Sequence, residues 1–259
     1  MISKRLTTVL LFLAVTGVAV AQPTVGGIVN GASFVPGQAI APGSLFSIFG
    51  TNLAKSPAGA DTIPLSTSLG GVTVKFVDGN TTIDAPLLFL QSNQINAVVP
   101  WGLASGNATV VVTSNNVSSS AATVKVGEFS PAVFAIGTMA AVQNVDGSLA
   151  QPTGSIPGRT THPAAIGDVV IIYATGIGPV DTTPAEGGIP SKTTNSLHKP
   201  FVSIGGIGAE IQFSGLSPQF VGVYQLNVVV PNIAPGDAVQ VDLSLGGITS
   251  PKLTMAVTQ

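Results

Sequence analysis

The heptapeptide QINAVVP at residues 94–100 recurs later in the chain as QLNVVVP at residues 225–231. In each copy aliphatic residues alternate with Gln and Asn, so an extended strand would place the aliphatic side chains on one face and the amides on the other. The proline that ends each copy cannot donate a hydrogen bond to a sheet and therefore marks the end of the strand. The repetition predicts two copies of one β-rich module.

Three further pairs of segments recur in the same order in both halves, which indicates an internal duplication. Their sequences are rich in β-branched residues and bounded by Gly and Pro, and Asp78-Gly79 is typical of a hairpin turn. We therefore predict an all-β fold of two tandem immunoglobulin-like β-sandwiches, module 1 at residues 22–128 and module 2 at residues 129–259. The paired segments are PGSLFSIFGTNLA (42–54) with IGDVVIIYATGIGP (166–179), SLGGVTVKF (68–76) with SIGGIGAEIQF (203–213), and GNATVVVTSNNVSS (106–119) with GDAVQVDLSLGGITS (236–250).

The first 21 residues have the pattern of a signal peptide. Lys4 and Arg5 precede an apolar run that ends at Val20, and Ala19-Val20-Ala21 supplies the small residues that signal peptidase reads. The run is short for a membrane span, which needs about 20 apolar residues. We therefore predict cleavage after Ala21 and a mature protein in the periplasm or outside the cell. No later segment is apolar over enough residues to cross a bilayer as a helix.

The composition restricts the possible functions. The chain has 9 basic and 11 acidic residues, and the loss of Lys4 and Arg5 leaves 7 basic residues against 11 acidic ones. Nucleic-acid binding needs a clustered basic face, and the basic residues are scattered, so we predict no nucleic-acid partner. Cysteine is absent, so the exported chain must be held by apolar burial without disulfides.

Several longer phrases resemble a known family, the Solibacter-type uncharacterised C-terminal domain family of secreted acidobacterial proteins. The resemblance covers nearly all of the mature chain, and since the family has no assigned activity or catalytic residues, it implies none here. The pattern G-x-x-x-x-I-x-G-x-N-L, which starts at Gly43, is more distantly similar to the opening of the IPT/TIG immunoglobulin-like fold. The phrases, besides QINAVVP, are IVNGASFVPGQAIAPGSLFSIFGTNLA (28–54), LGGVTV (69–74), SPAVFA (130–135), VQNVDGSLAQP (142–152), GDVVIIYATGIGPV (167–180) and FVGVYQLNVVVP (220–231).

The sequence contains no recognisable catalytic motif. It has no G-x-S-x-G elbow and no cysteine nucleophile. His162 and His198 lie in turn-rich stretches, and a catalytic triad would need one of them beside a serine and an acid. We interpret both as ordinary loop histidines and predict that the protein is not an enzyme.

The sequence also has no metal-binding motif, and we predict no metal or cofactor. Two distant histidines without a spacing motif do not supply the three or four ligands of a zinc site. Two groups of oxygen-bearing side chains could supply ligands to calcium, but neither follows the spacing of an EF-hand loop. The groups are Asp78 with Asn80 and Asp84, and Asp181 with Glu186.

Six residues in or beside the repeated heptapeptides are candidates for ligand binding or for contact between the modules. An amide offers both a donor and an acceptor, so it can tie a strand to a sheet or bind a ligand. Sugar sites combine such amides with aromatic rings. The loop at residues 181–200 is the longest in the chain, and long loops often carry function. The candidates are Gln94, Asn96, Trp101, Tyr224, Gln225 and Asn227.

The leading functional hypothesis is a secreted, non-catalytic protein that acts by surface binding or scaffolding at the cell envelope or outside the cell, with an envelope protein or a glycan as partner. The first alternative is a weak carbohydrate-binding module that uses Trp101 and the loop at residues 181–200. A further alternative is an enzyme of unrecognised type, which requires His162, His198 and acidic residues to converge in one pocket. The oligomeric state does not follow from the sequence.

Overall fold

The computed structural model describes residues 21–79 and 81–259, and every regular element in these residues is a β-strand. This confirms the predicted all-β fold. Apart from its last residue, the predicted signal peptide lies outside the described residues. The described part of the chain has no helix long and apolar enough to cross a lipid bilayer.

Module 1 is a sandwich of two sheets. One sheet has the strand order β1-β2-β8-β7-β3, and the other has the order β10-β9-β5-β4, with β11 added to β9 and β6 added to β5. The strands are β1 (Thr24–Asn30), β2 (Leu45–Thr51), β3 (Ala58–Gly59), β4 (Ser68–Leu69), β5 (Val72–Asp78), β6 (Thr81–Asp84), β7 (Leu87–Gln91), β8 (Gln94–Val98), β9 (Gly106–Ser114), β10 (Val117–Ser118) and β11 (Ala122–Val126).

Module 2 repeats this architecture. One sheet has the order β12-β17-β21-β20 with β15 added to β17, the other has the order β16-β24-β22-β18-β19 with β23 added to β22, and β13 and β14 form a separate hairpin. Every strand pairing in the described residues joins strands of one module, and the boundary at residues 128 and 129 stays a prediction. The strands are β12 (Ala132–Val133), β13 (Ala135–Ile136), β14 (Met139–Ala140), β15 (Val142–Asn144), β16 (Ala164–Ala165), β17 (Val169–Thr175), β18 (Phe201–Ile204), β19 (Ile207–Gly208), β20 (Ile211–Leu216), β21 (Tyr224–Val229), β22 (Gly236–Leu245), β23 (Ile248–Thr249) and β24 (Leu253–Thr258).

Each module has its own apolar core between its two sheets. The predicted alternation is confirmed in both heptapeptides, since Ile95 and Ala97 of β8 and Leu226 and Val228 of β21 are fully buried. Burial of such side chains is the main favourable term in folding, and it replaces the disulfides that the chain lacks.

A matched hairpin shows the duplication at the level of single atoms. The turn between β9 and β10 has two consecutive residues at positive φ, and so does the turn between β22 and β23, as a tight two-residue hairpin requires. After the turn, Ser119 Oγ accepts a hydrogen bond from Val112 N at 3.1 Å. In module 2, Ser250 Oγ accepts one from Leu243 N at 3.0 Å. The same side chain therefore closes the same hairpin twice.

One of the paired segments occupies different positions in the two modules. Gly70-Gly71 joins β4 to β5, and β5 pairs with β9. Gly205-Gly206 instead follows the strand that pairs with β22, because it joins β18 to β19. The alignment of residues 68–76 with residues 203–213 is therefore wrong in structural terms. The hairpin of β5 and β6 is the counterpart of the hairpin of β18 and β19. In module 1 the first strand of this hairpin, β5, pairs with β9, and in module 2 the first strand, β18, pairs with β22.

An apolar cluster joins the two modules. Leu65 and Val98 of module 1 pack with Val221 of module 2, and the half-buried Leu45 and Ile189 pack against this cluster. The cluster is continuous with the outward face of the sheet that contains β2 and β8. One end of that face is therefore covered by module 2.

Hydrogen bonds fix the same junction. Thr175 Oγ1 accepts a hydrogen bond from Leu45 N at 3.0 Å and donates one to Gly222 O at 2.7 Å. Leu65 N donates to the carbonyl of Gly187, in the long loop of module 2, at 2.8 Å. These bonds hold the two modules in one arrangement.

Candidate functional site

The amides of the first heptapeptide lie on the outward face of β8, half-buried. Gln94 Nε2 donates a hydrogen bond to Asn96 Oδ1 at 2.8 Å, and Ser47 Oγ of the neighbouring strand donates to the same oxygen at 2.9 Å. Within the described residues, Asn96 Nδ2 makes no hydrogen bond. Gln94 Oε1 accepts a further hydrogen bond from Gln91 Nε2 at 3.4 Å. The amides therefore bond to each other, to Gln91 and to a serine, not to the backbone.

The second heptapeptide repeats this arrangement on β21. Gln225 Nε2 donates a hydrogen bond to Asn227 Oδ1 at 2.9 Å, and both side chains are half-buried. The residue opposite Asn227 on β17 is Ile171, which has no hydroxyl to donate. In the described part of the chain, neither Asn227 Nδ2 nor Gln225 Oε1 takes part in a hydrogen bond.

An aromatic residue lies directly across the sheet from each amide, in both modules. Residues directly opposite each other in an antiparallel pair share a face of the sheet, so each module presents two amides between two rings. We call this set the amide array. Sequence reasoning found the amides and missed the rings, because the register between strands is not visible in one strand alone. The opposed pairs are Phe49 with Gln94, Phe89 with Asn96, Tyr173 with Gln225, and Phe213 with Asn227.

A cleft of about 250 Å³ borders the amide array of module 2. Gln225 and Asn227 line it on the sheet side, and Phe213 extends that side. Its opposite wall comes from Pro190, Lys192 and Thr193 of the loop at residues 181–200. The loop that the sequence singled out therefore meets the second pair of repeated amides.

The loop is fixed to the edge of β20 just beyond the cleft. Leu216 N donates a hydrogen bond to Thr194 O at 3.1 Å, and Ser196 N donates to Ser214 O at 2.9 Å. A Cβ on Gly215 would lie 1.9 Å from Thr194 O, so only glycine permits this close approach. The wall of the cleft is therefore held by backbone contacts.

A carboxylate gives the loop a second attachment. Asn195 Nδ2 donates a hydrogen bond to Asp181 Oδ2 at 2.8 Å. This bond, aided by the charge of Lys192, lowers the pKa of Asp181. The loop therefore closes on itself behind the cleft wall.

Trp101 lies at the module junction and does not line this cleft. Its ring packs on Gly43 and against the core of module 2. Trp101 N donates a hydrogen bond to Glu186 Oε1 at 2.9 Å. Burial raises the pKa of Glu186, and the hydrogen bonds from Trp101 N and Gly102 N act against this shift. Trp101 thus joins the modules, whereas Gln225 and Asn227 face the cleft.

Tyr224 is fully buried in the core of module 2. Its hydroxyl donates a hydrogen bond to the carbonyl of Gly178, and burial raises the pKa of the phenol. This candidate is a core residue and reaches neither the cleft nor module 1.

The two histidines join different carboxylates. His162 Nε2 lies 2.9 Å from Asp146 Oδ2, and Ser148 Oγ donates to the other oxygen of that carboxylate at 2.6 Å. A catalytic triad places the histidine between the serine and the acid, and here the acid lies between them. His198 Nε2 lies 3.4 Å from Glu128 Oε1. This arrangement does not activate a serine.

The pair of His162 and Asp146 predicts a dependence of stability on pH. The hydrogen bond to Asp146 raises the pKa of His162 above its usual 6.5, so the stabilisation is full below that value and lost as the pH rises through the raised pKa. Hydrogen bonds from Ser148 and His162 lower the pKa of Asp146 below its usual 3.8, so its contribution is lost as the pH falls through the lowered pKa.

The urea midpoint of the protein should therefore fall between pH 5 and pH 8, and Asp146→Asn should reduce this fall. The effect is expected to be small because both side chains are about half exposed. Urea titrations of both proteins at the two pH values measure it. An unchanged fall in the variant would show that the pair is not its source.

No group of three or more His, Asp or Glu side chains in residues 21–79 and 81–259 is placed to hold a metal ion. Of the first calcium candidate, Asn80 lies outside the described residues, and Asp84 lies 3.9 Å from Lys75 Nζ. In the second candidate, Asp181 and Glu186 have separate partners, Asn195 and Trp101.

Solved structures with a similar arrangement of strands include three bacterial proteins. The mixed-linkage glucan utilization locus protein SGBP-B of Bacteroides ovatus, in complex with a heptasaccharide, is 14% identical, with a TM-score of 0.35, over 86% of this chain and 44% of that one. SGBP-B from a xyloglucan utilization locus of Bacteroides uniformis is 12% identical, with a TM-score of 0.28, over 91% and 49%. The surface glycan-binding protein PbSGBP-B of Prevotella bryantii is 12% identical, with a TM-score of 0.27, over 90% and 42%.

The chain spans less than half the length of each of these structures, and at these TM-scores the similarity supports no argument about function. No curated protein sequence matches the chain. The resemblance to the Solibacter-type family stays a prediction. Residues 32–126, which include nearly all of the strands of module 1, match the model of the IPT/TIG domain family.

Proposed function

We propose that the protein is an exported, non-catalytic binding protein that acts through neutral surfaces at the cell envelope or outside the cell. The observation that carries this proposal is the amide array, which recurs on an outward sheet face of each module. Amides kept for structure normally bond to backbone groups. Here Gln and Asn bond to each other, which fixes their positions and leaves one amide nitrogen of each array available to a ligand. Such fixed donors lose little entropy on binding.

The chemistry of both arrays is neutral. Each consists of Gln, Asn and aromatic residues, and only 8% of the residues in the chain are charged. Weak charge gives little long-range electrostatic steering. Binding should therefore depend on short-range contacts and change little with salt.

The arrangement of the polar groups also favours binding over catalysis. The carboxylate of Asp146 lies between His162 and Ser148 and is hydrogen-bonded to both, so the histidine does not reach the serine hydroxyl. Glu186, whose pKa is raised, is occupied by backbone N–H groups at the module junction. The ionisable groups with shifted pKa values thus have structural partners.

The test is capture of a partner from cell-envelope fractions on immobilised residues 22–259. The double variant Asn96→Ala with Asn227→Ala should lower retention about tenfold, because losing hydrogen bonds of this kind costs on the order of 1.4 kcal/mol. The matched control, Asn107→Ala with Asn232→Ala, removes two exposed asparagines outside the arrays and should behave as wild type. Capture that is equal for all three proteins, or no captured partner from any envelope fraction, would contradict the proposal.

A further inference from the structure

We propose that the cleft of module 2 is a saccharide site, which binds one neutral sugar unit of a glycan or polysaccharide between Phe213, the pair Gln225–Asn227 and the loop wall at Pro190–Thr193. This inference rests on the proposed function and names its principal site and the class of its ligand. No saccharide site of this kind is proposed for module 1.

The unused polar atoms of the cleft match a pair of sugar hydroxyls. Asn227 Nδ2 offers N–H donors and Gln225 Oε1 offers an acceptor, and neither makes a hydrogen bond within the described residues. The bond between Gln225 Nε2 and Asn227 Oδ1, at 2.9 Å, orients both amides. Neighbouring hydroxyls of a sugar can each donate and accept, so one can accept from Asn227 while the next donates to Gln225.

The apolar part of the cleft suits the C–H face of a sugar ring. Phe213 is half-buried beside Asn227, so its ring is fixed by the sheet and still borders the cleft. Pro190 supplies apolar surface on the opposite wall. One ring and two amides form a small contact, so we expect a dissociation constant on the order of 1 mM for a single sugar unit.

The edge of the sheet beside the cleft is closed to a peptide strand. An extended peptide binds a sheet mainly by pairing with the backbone of an edge strand. The edge of β20 already pairs with the loop, through Leu216 N to Thr194 O and Ser196 N to Ser214 O. A ligand of this cleft is therefore recognised by side chains, which favours a saccharide over a peptide.

The corresponding face of module 1 differs at two points. Ser47 Oγ donates to Asn96 Oδ1, so that oxygen accepts two protein hydrogen bonds. Gln94 Oε1 accepts a hydrogen bond from Gln91 Nε2 at 3.4 Å, whereas Gln225 Oε1 accepts none in the described residues. Module 2 has Ile171 in place of Ser47 and a longer loop. In the described residues of module 2, by contrast, Asn227 Oδ1 accepts only the hydrogen bond from Gln225.

The experiment is an NMR titration of ¹⁵N-labelled residues 22–259 with neutral hexasaccharides of glucose, xylose and mannose. At least one of them should shift the side-chain amide signals of Asn227 and Gln225. Asn227→Ala and Phe213→Ala should each weaken that binding about tenfold or more, and Asn107→Ala, at an exposed asparagine outside both arrays, should leave it unchanged. Thr193→Trp should also block binding, since Thr193 is exposed and a larger side chain there fills the cleft without disturbing the core. Each variant is accepted only if its backbone spectrum matches wild type outside the site.

Three outcomes would overturn the inference. They are the absence of any shift with the whole panel, equal weakening by Asn107→Ala and Asn227→Ala, and shifts at these amides with a neutral hexapeptide in place of the sugars. If one of these outcomes occurs while capture from envelope fractions still depends on Asn96 and Asn227, the saccharide assignment is rejected. The proposed binding function is then retained. Failure of the capture experiment alone rejects the broader function.

Discussion

Phe46→Ala is expected to lower the free energy of unfolding by about 3–5 kcal/mol, as is typical when a buried phenylalanine is truncated. Phe46 is fully buried between the two sheets of module 1. Its ring packs edge-on against Phe76, with 5.4 Å between ring centroids. The variant loses the burial of a whole ring, this aromatic contact and the packing around the cavity that remains. Urea denaturation followed by circular dichroism measures the loss.

Phe49→Ala is the matched control, because Phe49 lies on the same strand and faces outward, 38% exposed. Its removal should cost about 1 kcal/mol or less. Equal losses of unfolding free energy in the two variants would contradict the assignment of Phe46 to the buried face of β2 and of Phe49 to its outward face.

Gly43→Ala is expected to destabilise the protein by about 2–5 kcal/mol and to shift the tryptophan emission to longer wavelength. A Cβ at this position would lie 2.1 to 2.4 Å from three atoms of the Trp101 ring. Gly43 also has a φ of +73°, which costs about 1–2 kcal/mol for an L-residue, and overpacking adds about 1–3 kcal/mol. Trp101 is the sole tryptophan of the sequence, so its emission reports directly on this contact.

Gly37→Ala separates the two causes. Gly37 has a φ of +75° and no atom within 4 Å of a Cβ built on it. This variant should show the backbone cost of about 1–2 kcal/mol and an unchanged emission maximum. A red shift in both variants, or in neither, would mean that Trp101 is not packed on Gly43.

The strands and their buried faces were predictable because the alternation of side chains is a property of each strand by itself. Ile95, Ala97, Leu226 and Val228 are buried as the period of two requires. The duplication was also predictable, since matched strands need similar residues at matched positions. The hairpins closed by Ser119 and Ser250 are its most direct expression.

The features that sequence reasoning missed depend on which strands are neighbours. The Gly-Gly turns at residues 70–71 and 205–206 look equivalent in sequence, yet β5 follows the first turn and β18 precedes the second. The pairing of Phe213 with Asn227 and the contact of Trp101 with Gly43 likewise join distant parts of the chain. The alternation of residues within one strand does not show which other strand it pairs with.

The way in which module 2 covers Leu65 and Val98 has a consequence during synthesis. Module 1 is made first, whereas Ile189, Val221 and the carbonyl of Gly187 that cover and bond this surface come much later in the chain. A nascent chain that has folded module 1 alone presents an apolar surface to its surroundings, the kind of surface that holdase chaperones bind and that promotes aggregation. A chain cut short before Val221 is therefore expected to aggregate more readily than a truncated protein whose modules share no apolar surface.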